Sequence, residues 1–507
     1  MTLSFRVDGR PVAVEDDGAS LLEVLRDRLG LRSPKDGCAP QGQCGCCTVL
    51  VDGQPRVACV TPARRVAGRA VTTLDGLAAA ERQAWADAFS ASGASQCGFC
   101  TPGIIVRLAA LRAAGGADVD TALLAHLCRC TGWQGIKEAY GSFGMAEAPG
   151  RDLDAARRRA TLEGGTPQEV GPHVALGRGG FADDTAPLDA LVAVPDGRGG
   201  WGVGETLSEA RAAAGKVQGR RSTIALTHPL EVPPGDWDVS LRTTWVEPAY
   251  LEPDASWCTP GGEPASPLGN GGAFGAKVDS AAPAAARRLA DEHGRAVRVL
   301  YSREDVVRDG PKRPPVAGGV RADGTGVLRV VRTPGVAAAV AAAAPGLAVE
   351  ELDVAGPSTS AAIRGAGWAE AAVLLAAARG DATVDAPSGS RASADVVDGA
   401  VELEVSCGDP LDEVVLRSFC IGAAHMALGW VRSEGVAVGP DGVPHDLTIR
   451  SFGILRARDM PEVHVTIVGR EGPPTPAADA VFAAVAAAAW RADGYPAEWP
   501  TRTGGPA

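Results

Sequence analysis

Alternating apolar and polar positions at the start of the chain predict β-strands. The first 15 residues alternate around Asp8-Gly9, a dipeptide that favours the positive φ angles of a tight hairpin turn. Ser20 is placed to N-cap an amphipathic helix, and further strands are predicted at 48–53 and 71–74. Strands wrapped around one helix predict a small β-grasp domain over residues 1–78.

Helical spacing of apolar positions replaces this alternation and predicts a helical domain over 79–148. A charged segment with Gly164-Gly165 follows, which predicts a linker over 149–170, either irregular or helical. Short strands, many glycines and prolines, and occasional helices predict an α+β region over 171–507. The clearest helical segments are 79–92, 103–114, 121–127, 281–293 and 479–490. The predicted fold class is therefore α+β multidomain.

Composition narrows the class of protein. A length of 507 residues corresponds to roughly three to four domains. The net charge is −12, and no run of like charge indicates nucleic acid or a membrane surface as a partner. The first nine residues have the pattern of a strand rather than of a signal peptide, and the Ala-rich stretch 335–349 is interrupted by Pro345. We therefore expect a soluble, cytoplasmic protein whose 12 cysteines are metal ligands and buried thiols rather than disulfides.

Eight of these cysteines fall into two quartets with the spacing of iron–sulfur ligands. The first quartet is Cys38, Cys44, Cys47 and Cys59, and the second is Cys97, Cys100, Cys128 and Cys130. Each quartet supplies the four thiolates that a [2Fe–2S] cluster requires, and nearby glycines let backbone amides approach the sulfides. Two clusters in one region indicate electron transfer.

Other interpretations of the cysteines remain open at this point. Zinc sites favour a C-x2-C pair answered by a second such pair, which Cys128-x-Cys130 is not. Cys46 lies between two predicted ligands and competes with Cys44, although the spacing favours Cys46 as a bystander. Cys258, Cys407 and Cys420 lie outside any ligand spacing and are predicted to be buried thiols.

The cysteine motifs strongly resemble the iron–sulfur subunit of the xanthine dehydrogenase and aldehyde oxidase family. The segments that carry the resemblance are 37–53, 71–77, 96–103 and 127–132, and the resemblance as a whole extends over nearly all of residues 1–140. One departure is local, because five residues rather than four separate Cys38 from Cys44, and a loop can absorb the extra residue. The resemblance implies that the first cluster lies nearer the electron acceptor and the second lies nearest a molybdopterin. Gln96 matches the position that hydrogen-bonds the pterin, with a surface glutamine as its alternative.

The long C-terminal part resembles a shortened molybdenum-binding subunit of the same family, fused behind the iron–sulfur part. The matching segments follow the family's order and lie at 175–185, 245–253, 270–277, 363–370, 450–462 and 469–474. This likeness implies that Gly272, Phe274, Gly275 and Arg364 bind the cofactor, although a purely structural turn is the alternative for the glycine-rich loop. Glu471 is the nearest match to the catalytic carboxylate.

Several departures from the family pattern fall in this C-terminal part. Arg470 precedes Glu471 and Gly472 follows it, so that a solvated loop carboxylate is the alternative for Glu471. The family's Gly-Gln-Gly segment is absent, and Val278 replaces an acidic residue. These departures concern the active site more than the scaffold.

The sequence thus predicts an iron–sulfur oxidoreductase that passes electrons through two [2Fe–2S] clusters during hydroxylation of a purine, an N-heterocycle or an aldehyde. The alternative is an electron-transfer subunit whose C-terminal part is a catalytically degenerate scaffold for a separate molybdenum or flavin subunit. No FAD-binding segment is visible, so a separate FAD-binding subunit is the expected partner in either case.

Overall fold

A computed structural model describes residues 1–145, 150–215, 224–445 and 447–502. It has the predicted α+β multidomain architecture, with four separate sheets. The predicted domain boundary at 148 and the end of the chain at 503–507 lie outside the described residues.

The N-terminal part is a five-stranded mixed sheet around a short helix. Its elements are β1 Thr2–Val7, β2 Arg10–Glu15, α1 Leu21–Glu23, β3 Thr48–Val51, β4 Gln54–Val57 and β5 Ala70–Thr72. The strand order is β2-β1-β5-β3-β4. Asp8 and Gly9 have φ angles of 50° and 80° in the β1–β2 turn, and the Ser20 side chain accepts a hydrogen bond from the Glu23 N–H at 3.2 Å. The predicted hairpin and helix cap are confirmed, although α1 continues as a π-helix over Val24–Arg28.

The helical part follows directly. Its helices are α2 Ala79–Ala91, α3 Thr101–Ala113, α4 Val119–Ala122 and α5 Gln134–Gly141. Trp85 and Phe89 of α2 are fully buried at its centre. The helix predicted at 121–127 is shorter than expected, because the chain turns through a 3₁₀ segment over Leu123–Ala125. This turn leads into the loop with Cys128 and Cys130.

The segment predicted as a linker, either irregular or helical, is largely the helix α6 Leu153–Gly164, which has one buried side. Arg159 and Glu163 of α6 are both fully buried and form an ion pair at 2.9 Å. Arg159 also donates to the carbonyls of Asp409, Pro410 and Thr475. Arg159 of this charged segment thus joins α6 to the C-terminal part.

The C-terminal part contains three further sheets and several long helices. Its helices are α7 Pro172–Ala175, α8 Ala182–Thr185, α9 Leu207–Ala213, α10 Ala282–His293, α11 Arg303–Asp309, α12 Val336–Ala343, α13 Trp368–Arg379, α14 Glu413–Arg432 and α15 Ala478–Ala492. Its strands are β6 Leu191–Pro195, β7 Trp201–Gly204, β8 Val239–Thr243, β9 Ala255–Cys258, β10 Val297–Leu300, β11 Val316–Val320, β12 Gly326–Val331, β13 Leu347–Leu352, β14 Thr383–Asp385, β15 Arg391–Val397, β16 Ala400–Ser406, β17 Val463–Val468 and β18 Glu498–Trp499. The sheet orders are β7-β6-β10-β9, β13-β12-β11-β8-β18 and β14-β15-β16-β17.

Helix α14 is the central helix of this part. Within the described residues it is the one helix long and apolar enough to cross a membrane. However, 89% of its most apolar 18-residue stretch is buried inside the protein. It packs against α15, where the rings of Trp430 and Phe482 stack with centroids 5.0 Å apart. Its apolar composition therefore fits a helix of the protein core.

Candidate functional site

The first quartet is buried in the loop between the π-helix and β3 and in the turn after β4. The Cys38 thiol is close enough to those of Cys44 and Cys59 to interact with them, as the Cys59 thiol is with that of Cys47. The N–H groups of Gln43 and Cys44 both donate to the Cys38 Sγ at 3.3 Å, and the Cys59 N–H donates to the Cys47 Sγ at 3.4 Å. The interactions with the Cys44 and Cys59 thiols, together with the Gln43 and Cys44 amides, hold the pKa of Cys38 well below its usual range.

Cys46 lies on the side of the first quartet that faces the second. Its thiol contacts Cys44 and is close enough to Cys100 and Cys128 for electrostatic interaction. Burial, together with the charges of Cys38 and Cys47, raises the pKa of Cys46, despite the hydrogen bond with Cys44. That Cys46 is a bystander and Cys44 the ligand stays a prediction.

The second quartet lies at the N-terminus of α3 and in the loop before α5. The Sγ atoms of Cys97 and Cys130 are 3.6 Å apart, and Cys100 directly precedes α3. Contact with the Cys100 thiol, against the opposing effect of burial, lowers the pKa of Cys128 to about 6, and Thr131 contributes through a contact of 3.2 Å. The positive end of the α3 dipole adds to this preference for negative charge.

The loops that carry the two quartets are in direct backbone contact. The Leu127 N–H donates to the Cys44 carbonyl at 3.0 Å. A Cβ at Gly103 would lie 2.3 Å from the Gly45 carbonyl oxygen, and a Cβ at Gly45 would lie 2.5 Å from the His126 ring. Burial lowers the pKa of His126 to about 3, so the ring is neutral at this contact. The glycines allow the two loops to approach, which shortens the path between the quartets.

The residues present fit two-iron clusters. In the first quartet Cys38 interacts with Cys44 and Cys59, and Cys59 also interacts with Cys47; in the second, Cys97 interacts with Cys130 and Cys100 with Cys128. A [2Fe–2S] cluster takes four thiolates, two on each iron, so four neighbouring thiols per quartet suit it. Among the described residues, no group of three or more His, Cys, Asp or Glu side chains is arranged to hold a single metal ion.

Four of the five predicted cofactor-binding residues line one cavity of about 370 Å³, namely Gly272, Phe274, Gly275 and Arg364. The Arg364 guanidinium lies 4.8 Å from the centroid of the Phe274 ring, and its Nε is 3.2 Å from an Asp479 carboxylate oxygen. The volume lies in the range of small-molecule sites, and the glycine-rich wall lets a flat ring approach the backbone.

The electrostatics of this cavity are less suited to a phosphate-bearing pterin. Among the described residues, Arg364 is the one cationic side chain that lines the cavity. Asp479 neutralises it. Glu163 adds a second carboxylate to the lining. The cavity therefore fits a pterin in size and shape but offers little positive charge for an attached phosphate.

Gln96 is not part of this cavity. Its side-chain Nε2 donates to the carbonyl oxygens of Cys130 and Ser418, at 2.9 and 3.0 Å, and contacts the Ser418 hydroxyl at 3.0 Å. Gly422, one turn further along α14, packs so tightly on the Cys130 carbonyl that a Cβ there would lie 1.7 Å away. Helix α14 thus covers the second quartet on the side of Gln96 and engages the amide nitrogen.

Glu471 is exposed on the loop that follows β17, outside the cavity. Arg470 forms an ion pair with Glu413 rather than with Glu471. The exposure of Glu471 corresponds to the alternative that the sequence offers for it, a solvated loop carboxylate.

Sequence reasoning missed a different buried carboxylate, Glu252. It lies 2.9 Å from the Lys277 Nζ and borders a small cavity together with Cys97, Cys100 and Cys130. Burial raises the pKa of Glu252 to about 7, although Lys277 opposes this shift. Both residues occur in segments that match the family, but nothing in their separate positions indicated that they pair.

Comparisons with known proteins agree with the cysteine motifs. Residues 73–141 match the family model described as a [2Fe-2S] binding domain. The chain is 38% identical over 144 residues to the xanthine dehydrogenase iron-sulfur-binding subunit of Escherichia coli O157:H7, a match that covers 27% of this chain and 89% of the relative. It is 34% identical over 145 residues to the nicotinate dehydrogenase small FeS subunit of Eubacterium barkeri, a match that covers 27% of this chain and 92% of the relative.

Longer proteins match over a smaller share of their length. The match to the xanthine dehydrogenase of Drosophila pseudoobscura pseudoobscura is 38% identical over 159 residues and spans 12% of that protein.

The aldehyde oxidoreductase of Desulfovibrio desulfuricans has a similar structure, with a TM-score of 0.69 over 96% of this chain and 97% of that one. At 15% sequence identity, this likeness concerns the fold.

Proposed function

This chain belongs to the xanthine dehydrogenase and aldehyde oxidase family of iron–sulfur oxidoreductases, and we propose that it passes electrons through two [2Fe–2S] clusters during the hydroxylation of a purine, an N-heterocycle or an aldehyde. The observation that supports the proposal most directly is the contact between two buried cysteine quartets through the Gly45 and Gly103 backbones. In this proposal the ligands are Cys38, Cys44, Cys47 and Cys59 for one cluster and Cys97, Cys100, Cys128 and Cys130 for the other.

The chain's own residues would hold the clusters and keep water away from them. The Gln43, Cys44 and Cys59 amides point at cysteine sulfurs of the first quartet and would offset the negative charge of a cluster. Burial of all eight thiols would exclude water from both sites.

A molybdenum pterin, when bound, would supply the two-electron oxidation whose electrons the clusters carry away. Gly272, Phe274, Gly275 and Arg364 would hold it in the cavity, and Gln96 would act indirectly by fixing the Cys130 loop. The proposal gives Glu471 no proton-transfer role, because its carboxylate is exposed outside the cavity.

A second candidate function is electron transfer by a chain whose C-terminal part has become a scaffold. Two observations favour it: the pairing of Arg364 with Asp479 in the cavity and the position of α14 over the second quartet. In either case the proposed domains are 1–78, 79–148 and 171–507, and the protein acts in the cytoplasm with partner subunits. A separate FAD-binding subunit is the proposed partner, joined in the second case by a molybdenum subunit.

Metal analysis tests both candidates on one preparation. The protein is produced in cells with an intact pterin pathway, and iron, sulfide and molybdenum are measured per chain. Two clusters require about four irons per chain and two electron paramagnetic resonance signals after reduction. Molybdenum near one per chain supports hydroxylation, iron without molybdenum supports the scaffold, and a protein without iron contradicts both.

A further inference from the structure

We propose that Asn270 is a positioning residue, which holds the glycine-rich loop over the sulfurs of Cys97 and Cys130 and thereby sets the reduction potential of the second cluster. The proposal rests on the proposed function, because it takes these two cysteines as ligands of that cluster. The glycine-rich loop is the segment 270–277, of which residues 271–275 line the cavity of about 370 Å³.

The Asn270 side chain joins the glycine-rich loop to two other segments. It is buried, with 2% of the residue exposed. Its Oδ1 accepts a hydrogen bond from the Glu169 N–H at 2.6 Å, and its Nδ2 donates to the Glu169 carbonyl oxygen at 3.0 Å. The same Nδ2 donates to the carbonyl oxygen of Gln96 at 3.4 Å. An amide side chain offers the acceptor and the two donor hydrogens that these three bonds require.

Gln96 extends this connection to both cysteines that the loop covers. It directly precedes Cys97 in the chain, and its side-chain Nε2 donates to the Cys130 carbonyl oxygen at 2.9 Å. Asn270 is therefore one residue removed from each of the two ligand-bearing segments. A change at Asn270 would alter the position of the loop relative to these segments.

Gly272 borders both the cavity and the sulfurs of these two cysteines. A Cβ at Gly272 would lie 3.1 Å from the Cys97 Sγ and 3.4 Å from the Cys130 Sγ, and Gly272 also lines the cavity. Cys97 and Cys130 are 8% and 7% exposed, more than the six other predicted ligands. A small displacement of the loop would therefore change how much water reaches the two sulfurs.

Gln168 packs on the loop by a contact that does not involve Asn270. It is buried, and a Cβ at Gly271 would lie 2.8 Å from its side-chain Cδ and Nε2. Because Gln168 directly precedes Glu169, the segment after α6 holds the loop by packing at one residue and by hydrogen bonds at the next. The loop can thus be loosened in two independent ways.

Loosening the loop should raise the potential of the second cluster. Solvent exposure is among the factors that set the potential of an iron–sulfur cluster. Reduction adds one electron to an oxidised [2Fe–2S] cluster, and water stabilises the added negative charge better than a buried loop does. The first quartet lies in the loop before β3 and in the turn after β4, so its cluster should keep its potential.

A redox titration of the holoprotein, with dithionite as the electron donor and electron paramagnetic resonance as the readout, provides the test. Asn270→Ala removes the three hydrogen bonds. The matched control is Gln134→Ala, because the Gln134 amide likewise pairs with the N–H and the carbonyl of one residue, Val463, at 3.0 and 3.3 Å. Preparations with equal iron and molybdenum contents are compared, and the signal absent from Cys44→Ala is assigned to the first cluster.

We expect the equilibrium constant for reduction of the second cluster to rise at least about threefold in Asn270→Ala. This corresponds to about 28 mV, since a tenfold change is 59 mV for one electron. The first cluster should keep its potential, and Gln134→Ala should leave both potentials unchanged. After exchange into deuterium oxide, pulsed electron paramagnetic resonance should show stronger deuterium coupling to the second cluster in Asn270→Ala than in the wild type. A general loss of stability would not confine both changes to one cluster.

Three results would overturn the proposal: an unchanged potential of the second cluster, an equal shift of both clusters, or the same shift in Gln134→Ala. If Asn270→Ala does not retain about four irons per chain, Gln168→Ala takes its place, because it loosens the loop while the Asn270 amide remains. It should shift the second cluster in the same direction, and no shift would equally overturn the proposal.

The wild-type preparation separates this failure from failure of the proposed function. A wild-type protein with about four irons and two reducible clusters, whose variants show no shift, loses only the role of Asn270. A wild-type protein without iron contradicts the proposed function itself.

Discussion

Substitution of Gly45 by alanine should destabilise the contact between the two cluster loops. Gly45 has a φ of +76°, and a Cβ would lie 2.5 Å from the His126 Cδ2 and 2.8 Å from the Ala125 carbonyl oxygen. The His126 ring has little freedom to move away, because its Nε2 is hydrogen-bonded to the Thr48 hydroxyl at 3.1 Å.

Two contributions add to the expected loss of stability. A non-glycine residue in the left-handed region costs about 1–2 kcal/mol. Forcing a methyl group into a filled contact costs about 1–3 kcal/mol more. We therefore expect the free energy of unfolding to fall by about 2–5 kcal/mol. The matched control is Gly53→Ala, because Gly53 has the same φ of +76° and no atom within 4 Å of its Cβ position.

Urea titration of the holoprotein, followed by the visible absorbance of the clusters, measures the effect. The Gly53→Ala variant should lose only the backbone contribution, and the difference between the two variants isolates the packing contribution. Equal urea midpoints for the two variants would refute the inference that the loops are in tight contact at Gly45. In that case, the short route between the quartets would lose its structural support.

Three further predictions concern single sites. Cys46→Ala should keep both cluster signals in electron paramagnetic resonance, whereas Cys44→Ala should lose one; the reverse pattern would make Cys46 the ligand. Arg159→Met should reduce the free energy of unfolding in urea by about 3–5 kcal/mol, because it leaves the Glu163 carboxylate buried without its partner. Adding Glu163→Gln should restore part of this stability. A loss below about 1 kcal/mol would contradict the buried pair. For Glu252, burial raises the pKa from 4.5 to about 7, so the folded state binds the proton more tightly than the unfolded state does. Its contribution to stability should be complete below pH 4.5 and should fall by about 3 kcal/mol as the pH rises through 7. Glu252→Gln should remove this pH dependence, and a wild-type-to-variant difference that stays constant from about pH 4.5 to about pH 8 would rule it out.

Short-range features of the chain were predictable because neighbouring residues determine them. The Asp8-Gly9 hairpin and the Ser20 cap depend on the conformational preferences of two or three residues, and the structure contains both. The helices at 79–91 and 282–293 follow from apolar spacing within a single segment. The fold class follows from the same local patterns together with the cysteine motifs.

Long-range features were not predictable from local patterns. The charged composition around Arg159 predicts a linker, yet the backbone carbonyls and the Glu163 carboxylate that receive its guanidinium bury this side of the helix. Gln96 appeared directed at a cofactor, but Ser418, 322 residues later, contacts its amide nitrogen. Such partners are specified by packing between distant segments.

The sequence by itself determined the two cysteine quartets, because ligand spacing within a loop constrains which sulfurs can reach one cluster. Tertiary structure alone decided that the quartets touch through Gly45 and Gly103, that Glu471 remains exposed and that Arg364 is neutralised by Asp479. Burial and charge pairing depend on residues far apart in the chain, and no local pattern encodes which of them meet.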